Sequence, residues 1–285
     1  MSPLDLSKAP LPHAARMLAC ARATARAVIQ PAFRGALEIQ AKAHAFDLVT
    51  QTDEDAETRL RSDLAAVFPG ALITGEERIG RHPHEKALLR EAPEALLIDP
   101  IDGTMNFAQG VGLVGTILVR LLDGVPQAGV LYDPIADDAV LAEKGLGAWF
   151  WRPHGPQHWR RLDGTPATPV RAVLANAWKW RHDGAEQVAR AVDSLGPTRS
   201  LMAAAHDHRS LALGTADCAL FRDAQPWDHA AGALVLSEMG GRCAFLDGTP
   251  YHVGRSHGPL VAGRTPEEWE RMAAALRDVI GATPT

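Results

Sequence analysis

The stretch from residue 96 to residue 107, which reads LLIDPIDGTMNF, constrains the chain more than any other part of the sequence. Its three leading apolar residues predict a buried strand, and the first carboxylate, Asp99, stands at the end of that strand. Pro100 has no backbone N–H to donate, so the pattern predicts that strand pairing stops here. A second carboxylate, Asp102, follows three residues after the first. The stretch therefore gathers two acids at one end of a strand.

Two carboxylates so close together repel each other unless a cation lies between them. Mg²⁺ is the natural candidate, because proteins hold this hard ion with one or two carboxylates together with phosphate oxygens and water. Gly103 allows a close approach of the backbone, and the N–H groups of a turn or helix opening after it would favour an anion. The loop therefore predicts a metal ion and a phosphate bound side by side.

Bulk composition argues against several other classes of function. The chain has 285 residues and a net charge of −5, as in an ordinary globular protein of one or two domains. The negative charge gives no indication of a surface that binds nucleic acid or membranes. No apolar run approaches the roughly 20 residues of a membrane span, and the N-terminus does not resemble a signal peptide. We therefore expect a cytoplasmic protein.

Two further patterns do not indicate chemistry of their own. The cysteines Cys20, Cys218 and Cys243 lie far apart in apolar stretches, which predicts small buried side chains rather than disulfides or a zinc site. Residues 110–115 match the glycine pattern of dinucleotide-binding loops, but that pattern requires a strand before it and a helix after it. Here a strand-like run follows, so we expect these glycines to shape a loop.

The hydrophobic pattern divides the chain into two halves. Residues 11–29 predict an amphipathic helix that ends before the next proline, and residues 113–150 predict a meander of antiparallel strands. The Pro- and Gly-containing segment 152–169 is the best candidate for a domain boundary. We therefore predict an N-terminal α+β domain over residues 1–160 and a C-terminal α/β domain over residues 161–285.

Acidic positions upstream of the central loop have structural explanations as well as functional ones. Either Thr52 or Asp53 could cap the helix that follows them. Glu76 and Glu77 follow a predicted strand over residues 71–74, and adjacent residues of a strand point to opposite sides. Only one of these two glutamates can then face a given site.

Three motifs occur in one order along the chain: residues 75–77 (Gly-Glu-Glu), residues 99–104 (Asp-Pro-Ile-Asp-Gly-Thr) and residues 227–232 (Trp-Asp-His-Ala-Ala-Gly). In this order, and over nearly the whole chain, the sequence resembles the inositol monophosphatase family of Mg²⁺-dependent, often lithium-sensitive phosphomonoesterases. The resemblance implies an α/β (α+β) fold, a layered αβαβα sandwich of the inositol monophosphatase and sugar phosphatase type. It also implies a site between the two halves and commonly a homodimer.

The resemblance assigns metal ligands to the motifs. One ion would be held by Glu76, Asp99 and the carbonyl of Ile101, and a second by Asp99, Asp102 and Asp228. A third, weaker ion would involve Glu76 and water. Carboxylates without His or Cys suit Mg²⁺ or Mn²⁺ and argue against structural zinc. Asp228 alone would be an ordinary helix cap, and the other motifs favour its role as a ligand.

The resemblance also assigns catalytic and phosphate-binding residues. Thr104, polarised by Asp53, would orient the attacking water together with Glu76. The backbone N–H groups of Gly103 and Thr104 would bind the phosphate. The C-terminal domain would supply Asp228 and the pocket for the rest of the substrate.

The substrate is less closely defined, because two elements differ from the inositol-specific pattern. Residues 202–205 read Met-Ala-Ala-Ala in place of Gly-Thr-Ala-Ala, and Phe221 replaces a glutamate seven residues before Asp228. His206 and Asp207 could equally serve helix packing or capping. The pocket residues that we expect are Ala204, Ala205, His206, Asp207 and Asp223.

Two functions from different classes remain open. The first is a phosphomonoesterase for a small inositol, sugar, histidinol or nucleotide phosphate, with 3′(2′),5′-bisphosphate nucleotidase and histidinol-phosphatase as alternatives. The second is a non-catalytic, metal-dependent binding protein on the same fold. Such a protein would be expected to lack a metal ligand or the Thr104 hydroxyl. The sequence retains them all, which favours the enzyme.

Overall fold

The computed structural model describes residues 6–35, 39–41, 48–155, 158–164, 172–180 and 184–280. Within these ranges no helix has both the length and the apolar character that crossing a bilayer requires. The α-helices are α1 Pro12–Thr24, α2 Gln30–Ala32, α3 Gln51–Val67, α4 Glu76–Arg81, α5 Glu85–Glu91, α6 Thr104–Ala108, α7 Ala185–Asp193, α8 Ala204–Ala212, α9 Pro226–Glu238 and α10 Pro266–Ile280. The strands are β1 Ile39–Ala41, β2 Leu48–Thr50, β3 Leu72–Gly75, β4 Glu94–Asp102, β5 Gly115–Leu122, β6 Val125–Asp133, β7 Asp138–Glu143, β8 Gly147–Trp151, β9 Trp159–Leu162, β10 Val173–Ala175, β11 Thr198–Arg199, β12 Cys218–Phe221, β13 Arg242–Phe245 and β14 Leu260–Gly263.

The strands form two large sheets and one small one. The seven-stranded sheet has the order β3-β4-β5-β6-β7-β8-β9, with β3 and β4 parallel and the other neighbours antiparallel. The five-stranded sheet has the order β11-β10-β12-β14-β13, parallel from β11 to β12 and antiparallel at β14. The small sheet pairs β1 with β2. The predicted meander is confirmed as β5 to β8.

Helices cover both faces of each large sheet, because successive side chains of a strand point to opposite faces. In β4, Leu96 and Ile98 lie in one apolar cluster with side chains of α1 and α3, whereas Leu97 lies in another with α8 and α9. Helices α8 and α9 also cover one face of the five-stranded sheet, and α7 and α10 cover the other. The result is the expected αβαβα sandwich.

The middle layer belongs to the second half of the chain but packs against the sheet of the first half. Ala230 of α9, for example, shares a cluster with Leu131 of β6. The division into two domains near residue 160 stays a prediction, and part of the predicted boundary segment lies outside the described residues. Cys20 and Cys218 are buried as expected, whereas Cys243 is half-buried.

Two predicted element ends were wrong, and proline explains both. A π-helical turn, Ala25–Ile29, joins α1 to α2, so the helical run continues past Pro31. The π-helical turn that precedes Pro31 already departs from the α-helical hydrogen-bond pattern, so the missing N–H falls at an irregularity of the helix. Strand β4 likewise continues past Pro100 to Asp102, since its register with β5 shifts between Asp99 and Asp102. The missing N–H therefore falls at an irregularity of the ladder.

Two further local predictions were also wrong. Thr50 rather than Thr52 or Asp53 is the N-cap of α3, and Asp53 completes a capping box with it. Glu76 and Glu77 open helix α4 instead of extending a strand. The alternation argument therefore does not apply to them, and Glu77 is buried.

The close packing of α8 against α9 depends on a glycine. A Cβ at Gly232 of α9 would lie 2.1 Å from Cγ of His208 in α8, far inside van der Waals contact. Gly80 of α4 is also helical, but a Cβ there would meet nothing within 4 Å. These two glycines form a matched pair for testing the packing of the middle layer.

Gly232→Ala should lower the free energy of unfolding by about 1–3 kcal/mol, because the added methyl group must displace His208. Gly80→Ala adds the same group to open space and should leave stability unchanged or raise it by up to about 1 kcal/mol. Urea unfolding of both variants beside the parent protein measures the difference. Equal effects of the two substitutions would contradict this packing.

Candidate active site

The four acidic side chains assigned as metal ligands come from three elements and line one cavity of about 230 Å³. Glu76 is the first residue of α4, Asp99 and Asp102 lie in β4, and Asp228 lies in the first turn of α9. Glu76, Asp99 and Asp228 each place one carboxylate oxygen within 4.8 Å of the others. Residues as many as 152 positions apart in the sequence therefore meet at one site, because β4 and α9 lie in adjacent layers.

The electrostatics of this cluster are unfavourable for a set of bare anions. Burial raises the pKa of Asp99 well above its usual range, and the nearby carboxylates of Glu76 and Asp102 raise it further. Burial likewise raises the pKa of Asp228, with added repulsion from Glu76 and Asp102. For Asp102, burial raises the pKa to about 7 although backbone N–H groups oppose the rise.

The residues present fit a divalent cation. The side-chain ligands are all carboxylates, the hard oxygen donors that Mg²⁺ prefers. Oδ1 of Asp99 is fully buried and has no hydrogen-bond partner among the described residues. Buried polar atoms without a partner are rare in proteins and are commonly explained by an ion, a water or a catalytic role. A cation at this point would satisfy that oxygen and offset the repulsion among the acids.

Glu76 is positioned by Glu57, a residue that the sequence argument missed. The buried carboxylate of Glu57 in α3 accepts hydrogen bonds from the backbone N–H groups of Glu77 at 2.9 Å and Arg78 at 3.2 Å. It therefore caps the first turn of α4 from another helix. A Cβ at Gly75 would lie 2.6 Å from Oε2 of Glu57, so this approach requires glycine. Glu57 shares the buried face of α3 with Leu60 and Leu64, a spacing that could have revealed it.

Asp102 ties the metal side of the cavity to the middle layer. Its Oδ1 accepts a hydrogen bond from the N–H of Ala204 at 3.0 Å, and its Oδ2 accepts one from the N–H of Ala205 at 2.7 Å. These are unpaired donors of the first turn of α8, which favours a negative charge. Gly115 makes room for this contact, since a Cβ there would lie 2.4 Å from Cβ of Ala205. The loop over residues 110–115 thus leads into β5, as expected, and no helix follows it.

Thr104 and Asp53 lie in contact beside the acidic cluster. The Thr104 hydroxyl lies 3.3 Å from Oδ1 of Asp53 and 3.2 Å from the carbonyl oxygen of Ile101. The other oxygen of Asp53 accepts hydrogen bonds from the N–H and hydroxyl groups of Thr50, in the capping box. Asp53 therefore serves helix α3 and Thr104 at once. Gly103, with φ of +85°, Thr104 and Ile101 all line the cavity.

The structure separates the expected pocket residues into two groups. Ala204, Asp207 and Asp223 line the cavity. Ala205 and His206 are not among the residues that line it. Ala205 is fully buried with its N–H on Asp102, and Nε2 of His206 lies 2.9 Å from the carbonyl oxygen of Val114.

Sequence reasoning missed several residues of the cavity wall. They come from the segments after β10, before α8 and after β12, and only the two before α8 belong to an element compared above, residues 202–205. These residues are Asn176, Trp178, Lys179, Met202, Ala203 and Arg222. They lie together only because β10 and β12 are neighbouring parallel strands that end at the same edge of the sheet.

Comparison with known proteins identifies the family of this chain. The sequence model of the inositol monophosphatase family matches residues 13–281. An inositol-1-monophosphatase of Mycobacterium bovis is 32% identical over 250 residues, covering 86% of this chain and 83% of that protein. The crystal structure of the extragenic suppressor protein SuhB from Bartonella henselae superposes with a TM-score of 0.76 and 26% identity, covering 92% of this chain and 97% of that one.

A third comparison bears on the fold of a metal-containing relative. The crystal structure of an IMPase/NADP phosphatase complexed with Mg²⁺ and phosphate has a TM-score of 0.74 at 21% identity, and it covers 90% of this chain and 92% of that one. The match to the family model over nearly the whole chain decides the assignment. This chain belongs to the inositol monophosphatase family.

Proposed function

We propose that this protein, a hydrolase of phosphoric monoesters by its family, acts on a small phosphorylated metabolite with Mg²⁺ held by its carboxylate cluster. The observation that carries the proposal is the convergence of carboxylate oxygens of Glu76, Asp99 and Asp228 within 4.8 Å of one another, together with a buried, unpartnered oxygen of Asp99. Asp102 and the carbonyl of Ile101 complete the proposed ligand set. We propose two ions with a third, weaker one, and Mn²⁺ as a possible substitute.

Three side chains and two backbone N–H groups would each have one role in the reaction. Divalent cations, when bound, supply positive charge that offsets the phosphate dianion and makes a water acidic enough to attack at neutral pH. The Thr104 hydroxyl and the Glu76 carboxylate orient that water. The Thr104 hydroxyl donates a hydrogen bond to Asp53, which leaves a lone pair of the Thr104 oxygen free to accept a hydrogen bond from the water. The N–H groups of Gly103 and Thr104 hold the phosphate oxygens.

The alcohol portion of the substrate would occupy the rest of the cavity. Ala204, Asp207 and Asp223 support this placement because they line the cavity beside Asp102 and Asp228. Phe221, which also lines it, offers no acid to bind sugar hydroxyls, so an inositol phosphate is not the favoured substrate. Inhibition by lithium, a homodimer and a cytoplasmic location stay predictions that family membership supports.

Asp99→Asn should lower kcat for a generic phosphate ester by about 10³-fold, because it removes charge from the centre of the proposed ligand set. The amide has nearly the same shape, so the fold should remain. Asp123→Asn is the matched control: Asp123 is exposed in the turn between β5 and β6, at a φ of 47° that asparagine tolerates. Steady-state kinetics in Mg²⁺ buffer would contradict the assignment if Asp99→Asn retained near-normal turnover.

Thr104→Val removes the hydroxyl proposed to orient the water and should lower kcat by about 10²–10⁴-fold with a small change in KM. Thr104→Ser keeps the hydroxyl and should restore most of the rate. Comparing the two variants separates loss of the hydroxyl from loss of packing. A serine variant as slow as the valine variant would remove Thr104 from the mechanism.

Metal removal should affect stability in a pH-dependent way. In the folded, metal-free protein the pKa values of Asp99, Asp102 and Asp228 are raised above those of the unfolded chain. The folded protein therefore still holds protons on these carboxyls at pH values where the unfolded chain has lost them. The stabilisation that these protons give the folded state is fully present below about pH 4 and is lost as pH rises through about 7, the pKa of Asp102. The metal-free protein should therefore become less stable over this range.

Saturating Mg²⁺ should raise Tm by about 5 °C or more at pH 8 and much less at pH 5, where protons already neutralise the cluster. EDTA should abolish hydrolysis, and added Mg²⁺ should restore it. Thermal unfolding with EDTA or Mg²⁺ at both pH values provides the measurement. A Tm that does not respond to Mg²⁺ at pH 8 would count against a metal site in this cluster.

A further inference from the structure

One part of the cavity wall carries positive charge that the proposed hydrolysis does not use. Lys179 lies in the 3-10 turn Ala177–Trp180 after β10, and Arg222 follows β12 directly. Both residues line the cavity. Nη1 of Arg222 donates a hydrogen bond to the carbonyl oxygen of Lys179, which joins the two segments. The two cations therefore belong to one continuous stretch of wall.

Lys179 and Arg222 come from a different part of the cavity wall than the proposed phosphate site. They follow β10 and β12, neighbouring parallel strands of the five-stranded sheet. Gly103 and Thr104 follow β4 of the seven-stranded sheet. All four residues line the cavity, so the wall that carries the two cations faces the part of it that the alcohol portion of a substrate would occupy.

The same wall is apolar where an acid would be needed to bind hydroxyl groups. Phe221 is fixed by ring contacts, with its centroid 4.4 Å from that of His229 and 5.1 Å from that of His208. Trp178, next to Lys179, is 38% exposed and also lines the cavity. This part of the wall therefore combines aromatic side chains with two cationic groups.

We propose that Lys179, with Arg222 beside it, selects a phosphomonoester whose alcohol portion carries a second anionic group. This inference rests on the proposed function. An ammonium and a guanidinium attract a second phosphate or a carboxylate, gain little from a neutral polyol and repel an amine. Trp178 offers a flat surface for a planar ring in the same substrate.

Two acids in the wall define the competing explanation. Asp207 is buried, and Asp223 is exposed next to Arg222; both line the cavity. The two cations could therefore serve only to balance local negative charge. In that case the loss of Lys179 would change the hydrolysis of every ester by the same factor. A role in selection changes the ratio between esters, so the two explanations are distinguishable.

The experiment measures kcat/KM in Mg²⁺ buffer for three esters that differ in the charge of the alcohol portion. The probes are adenosine 3′,5′-bisphosphate (anionic), inositol 1-phosphate (neutral) and histidinol phosphate (cationic). The parent protein should prefer the anionic ester. Fructose 1,6-bisphosphate, which is anionic but lacks a planar ring, separates the contribution of charge from that of the ring.

Lys179→Gln should lower kcat/KM for the two anionic esters by about tenfold to a hundredfold, mainly through KM. The values for inositol 1-phosphate should stay within about twofold, and those for histidinol phosphate should stay level or rise. Lys144→Gln is the matched control, since Lys144 is an exposed lysine in the turn between β7 and β8 and does not line the cavity. It removes the same charge and should change none of the ratios.

The outcomes separate this inference from the function on which it rests. An equal effect of Lys179→Gln on all four esters, or a parent protein that prefers the neutral or the cationic ester, would overturn the inference and leave the phosphatase intact. If the parent protein hydrolysed none of the esters with Mg²⁺, the proposed function itself would fail. A selective loss on the anionic esters, with the Lys144→Gln control unchanged, would support the inference.

Discussion

Repulsion among buried carboxylates is the constraint on which the rest of this structure depends. Glu76, Asp99 and Asp228 come within 4.8 Å of one another, and an oxygen of Asp99 is buried with no hydrogen-bond partner among the described residues. Such a cluster is costly unless cations bind to it. In the αβαβα sandwich β4 lies between two helical layers. Apolar packing on both faces of β4 holds the acids in position despite their repulsion.

The supporting contacts join separate elements through hydrogen bonds of acidic side chains, most of them with backbone N–H groups. Glu57 of α3 accepts hydrogen bonds from the first turn of α4, which carries Glu76. Asp102 accepts hydrogen bonds from the first turn of α8, and Asp53 joins the start of α3 to Thr104. Each bond satisfies N–H groups that a helix leaves unpaired or holds a side chain in one orientation. The site is therefore positioned by element ends on rigid layers, as precise catalysis requires.

The sequence predicted the structure correctly where a motif or a regular spacing of apolar residues indicates an element. The antiparallel meander followed from strand alternation. The sequence was not sufficient where a distant segment decides the outcome. Glu76 and Glu77 open a helix whose first turn is capped by Glu57, and Lys179 meets Arg222 through the pairing of β10 with β12. The start of α8 is likewise held by Asp102, 102 and 103 residues away from the two N–H groups that it binds, so the orientation of this helix does not follow from its own sequence.

The metal site is tested most directly by diffraction from crystals of the protein grown with Mn²⁺ and inorganic phosphate. Data collected near the manganese absorption edge locate bound Mn²⁺ by its anomalous signal. This account predicts anomalous peaks between the carboxylates of Glu76, Asp99 and Asp228, with the phosphate against the N–H groups of Gly103 and Thr104. Mn²⁺ found only elsewhere, with the Asp99 carboxyl bonded to protein groups or water alone, would contradict the central claim.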